Sequence, residues 1–166
     1  SRPLDSITAL IEPAVGALMT AVSWAVRAGD AVLGACGWQS RGVQRWNELS
    51  EAAAALKASG SATVVTIGNF DGVHRGHQAV LGQIVAEAHR RQALAVAITF
   101  DPHPLAVLYP ERAPATLTGL DHKLELLAAT GLDAVLVLTF TRELAGWSPE
   151  HFVQAALVDA LHVRAV

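Results

Sequence analysis

The sequence predicts an α/β fold in which a parallel sheet is flanked by helices, and three apolar runs carry that expectation. Thr63 to Ile67 (TVVTI), Leu94 to Phe100 (LAVAITF) and Ala134 to Phe140 (AVLVLTF) are rich in β-branched residues and nearly uninterrupted, as strands covered on both faces are. Helical periodicity fills the gaps between them, which is the order of βαβ units.

Taken in order, the chain begins with Ile7, Leu10, Ile11, Val15, Leu18, Val22 and Val26 at three- and four-residue spacing, a helical pattern bent or restarted at Pro13. Gly34, Gly37, Trp38 and Ser40 break it, and the composition changes at Arg41-Gly42. This separates an N-terminal helical extension, residues 1–42, from a domain over residues 43–166. The extension carries no visible chemistry and reads as a packing or fusion segment. Its uncharged span, Pro13 to Val26, is shorter than the roughly 20 residues a bilayer crossing needs. Its polar face also lacks the Lys/Arg richness of interfacial helices.

After the first run, Val80, Leu81, Ile84, Val85 and Ala88 share one helical face opposite Gln83, Glu87 and Arg90, giving a crossover helix. After the second, Thr118 is placed to cap a helix with Asp121 in its first turn. Leu124, Leu127 and Ala128 form the apolar side of that helix, which ends at Gly131. Ser148-Pro149-Glu150 is a helix start, with a cap, a proline at the first position and an acid at the positive dipole end. Phe152, Ala156 and Leu161 then face inward, and Val163 to Val166 begin a further strand.

Bulk composition narrows the partners. The 166 residues carry a net charge of −3, with a pI near 6.1 and mean hydropathy of +0.35. Such a balance provides no basic stripe for a nucleic-acid backbone. A single cysteine, Cys36, excludes an internal disulfide and fits a reducing compartment, so cytoplasm is the expected location. No secretory pattern precedes the apolar stretch.

The chemistry sits in the turn after the first run, Gly68-Asn69-Phe70-Asp71-Gly72-Val73-His74-Arg75-Gly76-His77, which feeds directly into the crossover helix. In open α/β sheets ligands lie outside the carboxyl ends of the strands, where a helix N-terminus offers unpaired N–H donors and a positive dipole to a phosphate. Gly68, Gly72 and Gly76 let the main chain turn tightly and approach phosphate oxygens. His74 and His77, three residues apart at the first helical turn, lie on one side and can donate to one triphosphate. Plainer readings stand beside these. The two histidines can cap the helix or join His103 around zinc, although no cysteine or nearby acid completes a zinc set, and Asp71 can be a turn residue only. His89, His122, His151 and His162 lack convergent partners.

The string GNFDGVHRGH, followed by Ile98-Thr99-Phe100-Asp101-Pro102-His103-Pro104 at the end of the second run, resembles the FMN adenylyltransferase module of bacterial riboflavin kinase/FAD synthetase. Val43-Gln44-Arg45-Trp46, Leu117 to Leu127 and Thr139 to Phe152 extend the resemblance over roughly residues 43–166. It implies a Rossmann-like nucleotidyltransferase fold of HUP type and transfer of AMP from ATP to FMN, giving FAD and pyrophosphate, with Mg²⁺ neutralising the phosphates. By it, His74 and His77 are catalytic. Gly68, Asn69, Phe70, Asp71, Gly72 and Gly76 bind ATP, and Phe100, Asp101, Pro102, His103 and Pro104 wall the flavin side. No protein metal ligand is assigned.

The family's Phe-Arg-Phe-Gly-like turn, its later Ser/Thr-rich motif ending in Arg and its riboflavin kinase barrel are not in this sequence. The chain is therefore expected to be a C-terminally truncated piece that has no riboflavin kinase activity and little or no FAD synthesis alone. Its incomplete sheet edge favours marginal stability or self-association. A non-catalytic nucleotide- or flavin-binding remnant remains open, as does another nucleotidyltransferase of the HxGH type with a different phosphorylated acceptor.

Overall fold

The computed structural model describes residues 42–113 and 115–166, so the predicted N-terminal helix lies outside the described residues. Five strands form one sheet: β1 (Gln44–Trp46), β2 (Thr63–Ile67), β3 (Leu94–Asp101), β4 (Ala134–Thr139) and β5 (Val163–Ala165). The order is β1-β4-β3-β2-β5, and every pairing is parallel. From β2 the chain steps outward to β3 and β4, then returns across β2 to lay down β5 on its other side. That reversal makes β2 and β5 the switch point of the sheet, and ligands of such sheets bind outside the carboxyl ends of the strands.

The three predicted runs are the three central strands, and their alternate residues feed two separate cores. Val65, Ile67, Val96, Ile98, Leu136 and Leu138 face one layer. It is covered by α1 (Leu49–Ser59) and by α6 (Pro149–Phe152), which runs directly into a π-helical stretch, Val153–Ala160. Val64, Ala95, Ala97, Val135 and Val137 face the other, covered by α2 (Arg75–Arg90) and α4 (Leu120–Ala128). Burial of each fully enclosed Leu or Ile stabilises the fold by about 1.5–3 kcal/mol. Leu81, Ile84 and Ala88 are the inward face of α2, whereas Val80, grouped with them on periodicity, is 46% exposed.

Short elements complete the chain: α3 (Pro104–Leu108), α5 (Arg142–Ala145), and 3-10 turns at Asp71–Val73 and Pro110–Arg112. The Ser148 hydroxyl caps α6 by accepting from the His151 N–H at 3.1 Å, with Pro149 at the first position, as the sequence indicates. The capping prediction for Thr118 is corrected. Gly119 is the N-cap of α4 and no side chain caps that helix, because the Thr118 hydroxyl is engaged at the turn after β2, described below. Among the described residues no helix is long and apolar enough to cross a membrane.

Candidate active site

The turn after β2 is held in an unusual backbone conformation. Phe70 (φ 48°), Gly72 (φ 70°) and Val73 (φ 38°) are all left-handed, a region that costs an L-residue roughly 1–2 kcal/mol and that β-branched residues rarely enter. Such a turn persists only where its surroundings over-determine it, and here three sets of contacts do so.

The first set is Asp71. Its carboxylate accepts from the Leu117 N–H at 2.9 and 3.1 Å, from the Thr118 N–H at 3.0 Å and from the Thr118 hydroxyl at 3.1 Å. These bonds, led by the Leu117 backbone donor, hold the carboxyl below its usual range. The Thr118 hydroxyl oxygen also accepts from the Gly72 N–H at 3.1 Å. Asp71 therefore fastens the turn to the segment entering α4.

The second set fills the glycine positions. A Cβ at Gly68 would stand 3.0 Å from the Phe70 ring, and one at Gly76 would stand 3.2 Å from the His74 ring. At both positions the side that a Cβ would take is filled by the turn's own aromatic side chains. Phe70 itself is buried.

The third set is Lys123, a residue of α4 that sequence reading passed over. Its side chain is almost enclosed, at 7% exposure. The ammonium donates to the Asn69 carbonyl at 3.2 Å, the Thr99 hydroxyl at 3.4 Å and the Phe100 carbonyl at 3.4 Å. Burial pushes its pKa down, while Asp101 and Asp71 oppose that shift. The Thr99 hydroxyl donates to the same Asn69 carbonyl at 3.1 Å. The available signal for Lys123 was a lysine one turn from Leu127, a residue on the buried face. In sequence that pattern resembles an ordinary solvated position.

His74 is the N-cap of α2: its Nδ1 accepts the His77 backbone N–H at 3.3 Å. With Nδ1 accepting, the ring proton of neutral His74 sits on Nε2. The His77 ring stacks on it, centroids 3.6 Å apart and planes 20° apart, with Phe70 edge-on at 5.3 Å. His77 Nδ1 is buried without a hydrogen-bond partner among the described residues. Burial first, and the neighbouring His74 second, lower its pKa.

The second motif meets the first. Phe100 and Asp101 end β3, Pro102 follows, and His103 caps α3, whose first residue is Pro104. His103 Nδ1 accepts the Leu105 N–H at 3.1 Å, so Nε2 carries the proton of the neutral ring. The Asn69 amide nitrogen is placed 3.2 Å from that Nε2, which would set donor against donor. Turning the amide by 180° puts its oxygen on the Nε2–H and leaves its NH₂ donors for another acceptor. Burial lowers the His103 pKa. Phe100 and Phe140 pack edge to face at 5.6 Å, and Asp101 and Pro102 are exposed. Every residue named from the two motifs thus lies at the carboxyl ends of β2 and β3.

Comparison with known proteins shows the family. The bifunctional riboflavin kinase/FMN adenylyltransferase of Escherichia coli (strain K12) is 43% identical over 101 residues, covering 61% of this chain and 32% of that protein. The protein of the same name from Listeria monocytogenes serovar 1/2a is 43% identical over 104 residues, covering 62% and 33%. That from Buchnera aphidicola subsp. Schizaphis graminum is 33% identical over 109 residues, covering 66% and 35%. The chain spans about a third of the length of these curated relatives. A crystal structure titled as a macrolide-efflux protein from Streptococcus pneumoniae superposes with a TM-score of 0.54 at 24% identity, over 62% of this chain and 34% of that one, a likeness of fold alone. The family profile described as FAD synthetase matches residues 56–166, two thirds of the sequence, and on that match the chain belongs to the FAD synthetase family.

Proposed function

We propose that the turn after β2 binds ATP through its phosphates, and that the chain carries the ATP side of an adenylyl transfer from ATP to FMN, giving FAD and pyrophosphate. The observation that carries this reading is the paired histidine arrangement at the start of α2. His74 Nδ1 is committed to the His77 N–H, which leaves its Nε2–H as a donor. His77 Nδ1 is enclosed without a partner, so a proton on the opposite nitrogen keeps the donor where an acceptor can reach it. The two imidazoles then present N–H groups beside the positive end of a sixteen-residue helix.

In the transfer, a phosphate oxygen of FMN attacks the α-phosphorus in line, and negative charge builds on the departing pyrophosphate. Donors already aimed at those oxygens gain strength as the charge develops, which lowers the barrier without a covalent intermediate. His74 and His77 take that role. The NH₂ of Asn69 and the main-chain N–H groups of Phe70 and Gly76 hold the nucleotide, while the Gly72 N–H stays on Thr118. Phe100 to Pro104 stand on the acceptor side, positioned through the Asn69–His103 contact. The pairing of the two motifs favours FMN over other phosphorylated acceptors.

The magnesium that the family resemblance implies finds no protein cage. Among the described residues no cluster of three His, Cys, Asp or Glu side chains could hold a metal, and Asp71 is saturated by its own donors. The chemistry suits the cytoplasm, where ATP is available.

The experiment is equilibrium titration of the 166-residue chain with ATP, then of the ATP-loaded chain with FMN or nicotinamide mononucleotide, with FAD and pyrophosphate followed in parallel. Saturable ATP binding, addition of FMN alone and little FAD are expected. Absence of ATP binding, or selective uptake of the nicotinamide nucleotide, would overturn the assignment.

A further inference from the structure

We infer that Lys123 is a positioning residue of the nucleotide site, setting which edge of the Asn69–Phe70 peptide faces the phosphates. The inference rests on the ATP reading above. It starts from the Asn69 carbonyl, which receives two donors from beneath, Lys123 Nζ at 3.2 Å and the Thr99 hydroxyl at 3.1 Å. In a trans peptide the following N–H points opposite to the carbonyl. Drawing the Asn69 carbonyl down therefore turns the Phe70 N–H outward, and that N–H has no acceptor among the described residues.

A buried ammonium is a costly way to hold a loop unless its charge has a use. Its three acceptors are neutral, two of them main-chain carbonyls from the two motif-bearing segments. No carboxylate closes on it, since none of the described salt bridges includes Lys123. A cation hydrogen-bonded to one face of a peptide polarises it, making the opposite N–H a stronger donor. The left-handed Phe70 offers that N–H from a tight turn, and outward N–H groups of such turns attract anions. Lys123 thus acts on the phosphates through the Asn69–Phe70 peptide, not by contact.

The test compares ATP affinity, thermal stability and the ATP-induced shift of the Phe70 amide NMR resonance in the 166-residue chain, in Lys123→Met and in Thr99→Val. In the parent, ATP should move the Phe70 resonance strongly. Folded Lys123→Met should bind ATP about tenfold more weakly, with the Phe70 shift abolished. Thr99→Val keeps the ammonium but removes one donor to Asn69, and should lose a smaller part of both. Should Lys123→Met fail to fold, Thr99→Val decides. A folded Lys123→Met with parental ATP affinity, or a Thr99→Val with parental affinity and parental Phe70 shift, overturns the inference while leaving the ATP site intact. A parent that does not bind ATP removes both.

Discussion

His74 and His77 lie face to face, ring centroids 3.6 Å apart, while His74 Nδ1 takes the His77 backbone N–H. The cap thus starts a helix and sets the His74 tautomer. Burial first, and the stacked His74 ring second, lower the His77 pKa.

Stability should therefore fall on the acid side of neutrality. The ordinary histidine value is 6.5 and the folded value of His77 is lower, so between them the unfolded chain holds more protons. The folded state then loses stability as pH drops through 6.5 toward the lowered value. His103 is shifted the same way, mainly by burial. Melting temperatures between about pH 5 and 8 should decline toward acid, and His77→Asn should flatten that slope. An unchanged slope in the variant would count against the buried, neutral imidazole.

Asp71→Asn should loosen the turn rather than remove a ligand contact. The substitute places an NH₂ group against donors from Leu117 and Thr118 and costs about 1 kcal/mol, a modest figure because the site is largely open to solvent. The carboxyl has a folded pKa below its ordinary 3.8. Its contribution is therefore present above that value and lost as pH falls through the folded one. Denaturant unfolding of parent and variant at neutral pH and near pH 3 should show the difference shrinking in acid.

Gly76→Ala should weaken ATP binding more than it weakens the fold. The added methyl would stand 3.2 Å from the His74 ring, and the exposed ring can swing away at the expense of the cap. Calorimetric titration should show several-fold lower ATP affinity with a melting temperature near the parent's. Equal affinity would mean that the ring's placement does not matter.

In the sheet, Leu136 is fully buried on β4. Leu136→Ala should cost about 2–5 kcal/mol, read as a lower denaturant midpoint with an unchanged slope.

The central strands and the start of α2 were legible because each is local: β-branched runs make strands, and a glycine-rich turn before a helical period makes a phosphate-type helix start. The edge strand β1 was seen only as the beginning of a family resemblance, since three residues carry no period. Thr118 was misread as a cap because Ser/Thr before a helix usually is one. Its actual partners, Gly72 and Asp71, lie 46 and 47 residues away. Lys123 was illegible for the same reason, as its acceptors come from two other segments brought together only by the fold.

The most direct measurement is ATP affinity of the 166-residue chain beside a His74→Ala/His77→Ala variant whose circular dichroism matches the parent's. Loss of two donors aimed at one triphosphate should weaken binding by about 100-fold. Binding as tight as the parent's would contradict the site described here.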